Sequence, residues 1–160
     1  GHHLQLVRGA LVGSRFRKLA GSSLFAEGWA LYCEELMYDT GFFPQAGTRL
    51  VQLEARLWRA ARVIIDASIH TGDMTFDEAV KFLVDKVRLS KAHAVAEVKR
   101  YTQSPTQPMT YIVGMQEVMR IRSEQERKLG SRFDLKAFHD SLLSAGTLPP
   151  KLVEAEVFGK

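Results

Sequence analysis

Residues 23–43, SLFAEGWALYCEELMYDTGFF, constrain the fold more than any other part of the chain. Their apolar side chains lie almost all round a helix that Ser22 or its neighbour can cap and Gly41 can end. A helix that is apolar on every face is buried. This one also contains Glu27, a carboxylate that costs several kcal/mol to bury unpaired, and Gly28, which weakens a helix by about 1 kcal/mol relative to alanine. We therefore expect Glu27 to meet an arginine, a metal ion or other strong donors, and Gly28 to allow a close approach to the backbone.

The rest of the chain carries helix signals and no convincing run of strand alternation. The segment from His3 to about Ala20 is helix-like but loosened by Gly9 and Gly13. Further predicted helices run from about Thr48 to Ile69, from a capping box of Thr75 and Glu78, from Ser90 to about Tyr101, from Pro108 to near Gly130, from Asp134 to Gly146, and from Pro149 and Pro150 onward. The connections between them are short. The pattern predicts a compact all-α, multi-helix fold that forms a single domain over residues 1–160.

Composition excludes several classes of protein. A hydrophobic fraction of 46% over 160 residues is too high for a disordered chain and sufficient for a real core. No apolar run is long enough to cross a membrane, so we expect no transmembrane segment. The net charge of +4 comes without a long basic run, so we expect no nucleic-acid partner. Cys33 is the only cysteine, which excludes an internal disulfide and indicates a small buried side chain.

A second polar stripe lies in the stretch WRAARVIIDASIH, residues 58–70. Arg62, Asp66 and His70 are spaced four residues apart and therefore share one helix face. Arg62 can hold Asp66, and Asp66 can orient the imidazole of His70, an arrangement that commonly supports catalysis or metal binding. The alternative is a solvated face of ion pairs. The apolar side chains on the other faces favour a stripe that is at least partly internal.

A group of polar side chains surrounds the proline-containing break between two predicted helices, in the stretch EVKRYTQSPTQPMTYIVG. Its members are Arg100, Tyr101, Gln107 and Tyr111. Donors gathered at such a break can face a ligand. They can equally satisfy the exposed carbonyl groups of helix ends, and the sequence leaves both alternatives open.

Six stretches of the chain carry a resemblance to a known family. They are GHHLQ, FAEGWALYCEEL, LWRAARVIIDASIH, EVKRY, TYIVG and LGSRFDLKAFHDSLLSAG, which occur in this order. The chain resembles the C-terminal part of the domain-of-unknown-function 885 family, bacterial proteins similar to zinc peptidases of the gluzincin type. The run EGWALY after GHH is the most specific element, and together the stretches cover nearly all of the chain.

The resemblance implies a metal site. In the family, the first site element is His-Glu-x-x-Pro-Gly-His-His, an expanded form of a zinc motif whose histidines bind the metal and whose glutamate activates water. The resemblance makes Glu27 the third ligand and His2 or His3 one of the histidine ligands. This sequence begins at GHH, without the leading His-Glu, so we expect a fragment of a larger catalytic domain.

The resemblance also implies a function. It makes the chain the C-terminal part of a zinc-dependent peptidase acting on a peptide or small amide, in which zinc polarises the amide carbonyl. His70, Tyr101 and Tyr111 would donate to the oxyanion, Arg100 and Gln107 would bind substrate, and Glu34, Arg62 and Asp66 would support these groups. The isolated chain is expected to be inactive, and zinc can be absent from it. The alternative is a non-catalytic helical binding or scaffold domain whose buried polar residues fix helix register.

Overall fold

A computed structural model describes residues 1–159, and these form helices without any strand. The α-helices are α1 (His2–Ala10), α2 (Arg15–Leu19), α3 (Ser23–Asp39), α4 (Ala46–Thr71), α5 (Phe76–Phe82), α6 (Lys91–Gln103), α7 (Thr110–Leu129), α8 (Leu135–Ser144) and α9 (Pro150–Val157). A π-helical turn, Leu83–Val87, continues α5, and a 3₁₀ turn, Gly130–Arg132, follows α7. The predicted all-α fold is confirmed.

The helices group into two compact units. Unit 1 consists of Gly1–Leu36 and the chain from Val113 onward, and unit 2 consists of Met37–Ile112. The boundaries between the units fall within α3 and near the start of α7.

The core of unit 1 is formed by the apolar side chains of α3, α7, α8 and α9. Its fully buried members include Phe25, Trp29, Tyr32, Val118, Ile121, Leu142 and Val153. Helix α3 buries large residues on one side, while Ala26, Ala30 and Cys33 on its other side are partly exposed. Helix α1 packs against α8, and an ion pair between Arg8 and Asp140 joins the same two helices.

The core of unit 2 lies between α4, α5, the π-helical turn and α6. Its buried residues are Ala61, Ile65, Ala79, Val80, Leu83, Ala94, Val98 and Tyr101. The extra residue of a π turn shifts the face that the following chain presents, and here Leu83 remains fully buried at its start. The turn ends at Arg88, which has a positive φ of 65°.

Several helix ends follow the sequence signals. Thr75 and Glu78 form the predicted capping box, and the side chains of Ser90 and Asp134 accept hydrogen bonds from the backbone of their own first turns. Pro150 occupies the first turn of α9.

The helix-like segment from His3 to Ala20 is divided into two helices. The chain leaves helical geometry after Ala10, in a stretch that contains Gly13, and α2 is a separate short helix with no buried residue. Glycine is a poor helix former, and an exposed segment has no packing to compensate. No helix among residues 1–159 is long and apolar enough to cross a membrane.

Candidate functional site

In unit 1 the carboxylate of Glu27 meets a histidine. Nε2 of His2 lies 3.3 Å from Oε2 of Glu27, with the two side chains 51% and 24% exposed. Glu27 is therefore partly buried. Its recorded partner among the described residues is this imidazole and not the arginine that a purely structural pair would use. The pair joins the start of α1 to the first half of α3.

Gly28 lets α3 approach α7 closely, as its position next to Glu27 suggests. A Cβ atom built on Gly28 would lie 2.3 Å from the carbonyl carbon of Gly114, and one built on Gly114 would lie 1.9 Å from the carbonyl oxygen of Leu24. Neither position has room for a side chain. The two glycines together fix the backbone of α3 against α7, and so they fix the site from which Glu27 extends.

The other predicted members of the metal site lie nearby in the sequence, but the described residues do not complete a ligand set. His3 is exposed on α1, and Glu34 is half-buried on α3 and has an interaction partner of its own. Among residues 1–159, no three histidine, cysteine or acidic side chains gather closely enough to hold a metal ion. His2 and Glu27 are the two candidate ligands that the structure brings together.

In unit 2 the predicted contact between Asp66 and His70 is confirmed. Oδ1 of Asp66 lies 3.1 Å from Nδ1 of His70, and the carboxylate is only 1% exposed. The same oxygen accepts a hydrogen bond of 3.1 Å from the backbone N–H of Thr106. Asp66 therefore joins α4 to the proline-containing break, while its Oδ2 is buried with no protein partner among the described residues.

The surroundings of Nδ1 fix the tautomer of neutral His70. Besides Oδ1 of Asp66, the backbone carbonyl oxygen of Asp66 lies 2.8 Å from the same nitrogen. Both neighbours can only accept, so Nδ1 carries the hydrogen. Neutral His70 therefore presents a bare Nε2 as an acceptor, and only the imidazolium can donate from that nitrogen.

The predicted pairing of Arg62 with Asp66 is wrong. Nε of Arg62 donates to the hydroxyl of Tyr101 at 3.2 Å, and an Nη nitrogen donates to Glu97 at 3.4 Å. Its guanidinium also lies 4.6 Å from the ring centre of Trp58, in cation–π geometry. The helical spacing allows Arg62 to pair with Asp66. Instead, Glu97 and Tyr101 on α6 accept hydrogen bonds from its guanidinium.

Glu97 is the centre of the buried polar network in unit 2. It accepts hydrogen bonds from the Tyr101 hydroxyl at 2.7 Å and from Arg100 at 3.0 Å. Burial favours a higher pKa for Glu97, but the hydrogen bonds from Arg100 and Tyr101 outweigh it and hold the pKa below its ordinary value. Burial, followed by the bond to Glu97, raises the pKa of the Tyr101 hydroxyl. Sequence reasoning missed Glu97, although its spacing to Arg100 and Tyr101 on one helix was a usable signal.

The four polar residues at the proline-containing break do come together. Arg100 donates to the side-chain oxygen of Gln107 at 3.1 Å, and the amide nitrogen of Gln107 lies 3.4 Å from the Tyr111 hydroxyl. The Tyr101 hydroxyl accepts from Trp58 and Arg62 and donates to Glu97, so its hydrogen-bonding capacity is filled. The Tyr111 hydroxyl only accepts within this group, and its own hydrogen is available to a ligand.

Unit 1 holds a second polar cluster that the sequence did not suggest. The Tyr32 hydroxyl accepts from Arg122 at 3.2 Å and shares a hydrogen bond of 2.7 Å with Nε2 of His139. Burial lowers the pKa of His139, and the charge of Arg122 lowers it further. Burial raises the pKa of Tyr32. The three residues come from α3, α7 and α8, so no local spacing reveals the cluster.

Comparison with known proteins identifies the family. The DUF885 family, described as bacterial protein of unknown function, matches residues 1–157, and the chain belongs to it. No curated protein matches the chain.

Two solved structures share the fold. A "putative lipoprotein" from Colwellia psychrerythraea is 31% identical, with a TM-score of 0.92. A "putative lipoprotein of unknown function" from Shewanella oneidensis is 33% identical, with a TM-score of 0.90. Each match covers 98% of this chain but only 27% and 29% of the respective relative, so the chain spans less than a third of their length.

Proposed function

We propose that the chain is the C-terminal part of a zinc-dependent peptidase, in which Glu27 and either His2 or His3 bind the metal. The observation that carries the proposal is the contact between Nε2 of His2 and Oε2 of Glu27 at 3.3 Å. Two ligands with bonds of about 2.0–2.2 Å to tetrahedral zinc lie roughly 3.3–3.6 Å apart. Donor type and spacing therefore suit zinc, but a catalytic site normally takes three protein ligands and the described residues bring together only two.

The proposed role of zinc is that of a Lewis acid that polarises an amide carbonyl and lowers the pKa of bound water. The residues of unit 1 contribute the ligand atoms and their rigidity. Glu27 supplies a carboxylate oxygen, and the packing of Gly28 on Gly114 keeps its helix at a fixed distance from α7. A positioned ligand loses little entropy on binding the metal, which favours affinity.

In unit 2 we assign the oxyanion-stabilising role to His70 and Tyr111 in preference to Tyr101. His70 is held by Asp66 and can donate from Nε2 as the imidazolium, and Tyr111 has a hydroxyl hydrogen to donate. The Tyr101 hydroxyl is fully used by Trp58, Arg62 and Glu97, which suits a structural role.

Arg100 and Gln107 remain the candidates for binding a substrate carboxylate. Arg100 is 38% exposed in its side chain, so a ligand can reach it. It already donates to Glu97 and Gln107, and a substrate would have to replace one of these acceptors.

The second candidate function is a non-catalytic scaffold or binding domain. It is favoured by the hydrogen bonds around Glu97, Arg62 and Tyr101, which tie α4 to α6 and occupy the Tyr101 hydroxyl completely. In this function the His2–Glu27 contact is an ordinary ion pair when the imidazole is protonated.

Metal titration of the isolated chain tests the fragment hypothesis. We expect the chain to fold, to bind zinc weakly or not at all, and to hydrolyse no peptide, because the described residues bring together only two candidate ligands where a catalytic site takes three. Titration calorimetry and a peptide-cleavage assay measure this, with Glu54→Ala as a control carboxylate on α4. Micromolar or tighter one-to-one binding that Glu27→Ala abolishes, with metal-dependent turnover, would show that the isolated chain is not an incomplete site.

The same substitutions in a full-length family member separate the peptidase from the scaffold. We expect stoichiometric zinc and peptide hydrolysis in the unmodified protein, and loss of both in Glu27→Ala but not in Glu54→Ala. A full-length protein that binds no zinc and cleaves no peptide would contradict the peptidase function and support the scaffold function.

A further inference from the structure

The three most exposed large apolar side chains among the described residues lie close together in sequence. Leu11, Phe16 and Leu19 are 74%, 76% and 89% exposed. They belong to residues 11–21, which we call the α2 segment. Water-exposed phenylalanine and leucine grouped in this way indicate a surface that another apolar phase covers.

The positive charge of the protein is concentrated in the same region. The first 26 residues contain four basic side chains, Arg8, Arg15, Arg17 and Lys18, and no acidic one. The remaining basic and acidic side chains number 18 each and cancel, so these residues account for the whole net charge of +4. Three of the four cations lie on α2 itself.

The geometry of α2 separates its anchoring side from its free side. Phe16 and Leu19 are three residues apart and share one face, Arg15 lies at its edge, and Lys18 lies farther round the helix. Arg17 points away from that face and makes a two-pronged ion pair with Glu156 of α9, with both N···O distances 2.6 Å. Arg15 and Lys18 make no ion pair with any residue in the range 1–159.

We propose that the α2 segment is a docking surface for an anionic lipid membrane. Phe16, Leu19 and Leu11 would enter the boundary between headgroups and acyl chains, while Arg15 and Lys18 would contact the acidic headgroups. Basic side chains at such a surface contribute about 1 kcal/mol each through attraction to the anionic lipid. The ion pair of Arg17 with Glu156 holds the segment in place, so that little conformational entropy is lost on docking.

Charge complementarity selects this partner over an uncharged apolar one. A protein surface of neutral apolar character would match Phe16 and Leu19 but would leave Arg15 and Lys18 to lose hydration without compensation. An anionic bilayer matches both groups at once, and a flat interface suits side chains that project from a short helix and do not line a pocket. The inference does not depend on the proposed peptidase function.

Co-sedimentation with lipid vesicles tests the proposal. We expect the chain to pellet with vesicles of phosphatidylcholine and phosphatidylglycerol in a 7:3 ratio and to stay in solution with pure phosphatidylcholine. Raising the salt concentration should weaken the binding, because the headgroup contacts are screened. The double variants Phe16→Ser/Leu19→Ser and Arg15→Gln/Lys18→Gln should each lose affinity on the order of tenfold or more.

The matched control is Lys151→Gln/Leu152→Ser, which removes a neighbouring cation and an exposed leucine from α9. It should bind as the unmodified chain does. The α2 variants should keep the thermal midpoint of the unmodified chain, since α2 buries no residue, and so should the control, because Lys151 and Leu152 are both exposed. Absence of binding to the anionic vesicles, or equal binding by all variants, would refute the proposal. A dimer seen by light scattering that Phe16→Ser/Leu19→Ser dissociates, without vesicle binding, would assign the surface to a second copy of the chain.

Discussion

At the scale of single residues, Thr106 is the clearest case of backbone strain in the chain. It has a φ of 70°, a conformation that costs a β-branched residue about 1–2 kcal/mol. The conformation directs its N–H to the buried carboxylate of Asp66, whose need for a donor explains why the strain is kept.

Replacing Thr106 with glycine should therefore stabilise unit 2. The relief of strain exceeds the greater unfolded-state entropy of glycine, and the free energy of unfolding should rise by about 0.5–1 kcal/mol. Urea denaturation measures the change. The control is Thr102→Gly in α6, where the backbone is helical and the same substitution should be destabilising. Equal destabilisation by both variants would contradict the account of strain.

Asp66 should stabilise the fold through the hydrogen bonds of its oxygen atoms more than through the volume that its side chain fills. Asp66→Ala removes the charged acceptor of the Thr106 N–H and should cost about 1–3 kcal/mol of unfolding free energy. Asp66→Asn keeps an oxygen at that position and should fold with a smaller loss. Under the proposed peptidase function, Asp66→Asn in a full-length family member should lower kcat/KM by misorienting His70. An unchanged kcat/KM would exclude a supporting role for Asp66.

At the scale of helices, local signals predicted most of the elements but only part of the candidate site. Capping residues and apolar periodicity located α3 to α9, because both act within a few residues of the helix they define. The contact of His70 with Asp66 followed from their spacing within one helix. The pairing of Arg62 with Glu97 could not be predicted in this way, because it depends on which acceptors of α6 pack next to α4. The π-helical turn after Phe82 also had no recognisable signal.

The packing of α3 on α7 gives a prediction about helix contacts. Gly28→Ala would improve intrinsic helix propensity by about 1 kcal/mol, yet its Cβ would lie 2.3 Å from a backbone carbon of Gly114. The helices would have to separate, so we expect a net loss of about 2 kcal/mol or more in unfolding free energy. Gly47→Ala is the control, because its Cβ meets nothing within 4 Å in α4. Gly47→Ala should stabilise, and equal stabilisation by Gly28→Ala would contradict the close contact.

At the scale of the whole molecule, two sets of titrating groups link stability to pH. Glu97 and Glu154 have pKa values below their ordinary 4.5. The contribution of these carboxylates is present above the unfolded pKa and is lost as the pH falls through their folded pKa values. His139 also has a lowered pKa, but its ordinary value is 6.5, so its effect begins at a higher pH. The histidine and the carboxylates therefore affect stability in different pH ranges.

The loss of stability that begins at the higher pH should be caused by His139. Burial, reinforced by the charge of Arg122, favours the neutral imidazole in the folded state. Below pH 6.5 the unfolded chain therefore binds more protons than the folded chain, and stability falls as the solution is acidified. Nearby Asp140 acts in the opposite direction without reversing the shift. The unfolding free energy should be nearly constant between pH 7 and 8 and should decrease between pH 6.5 and 5, before the carboxylates protonate.

Substitution of the histidine isolates its contribution. His139→Gln keeps a hydrogen-bonding side chain beside the Tyr32 hydroxyl but removes the titration, so its unfolding free energy should change less between pH 7 and 5 than that of the unmodified chain. His93→Gln is the control, because His93 lies on the exposed side of α6. Urea denaturation at pH 5, 6, 7 and 8 provides the comparison. Parallel pH profiles for His139→Gln and the unmodified chain would show that burial of this imidazole does not control stability in that range.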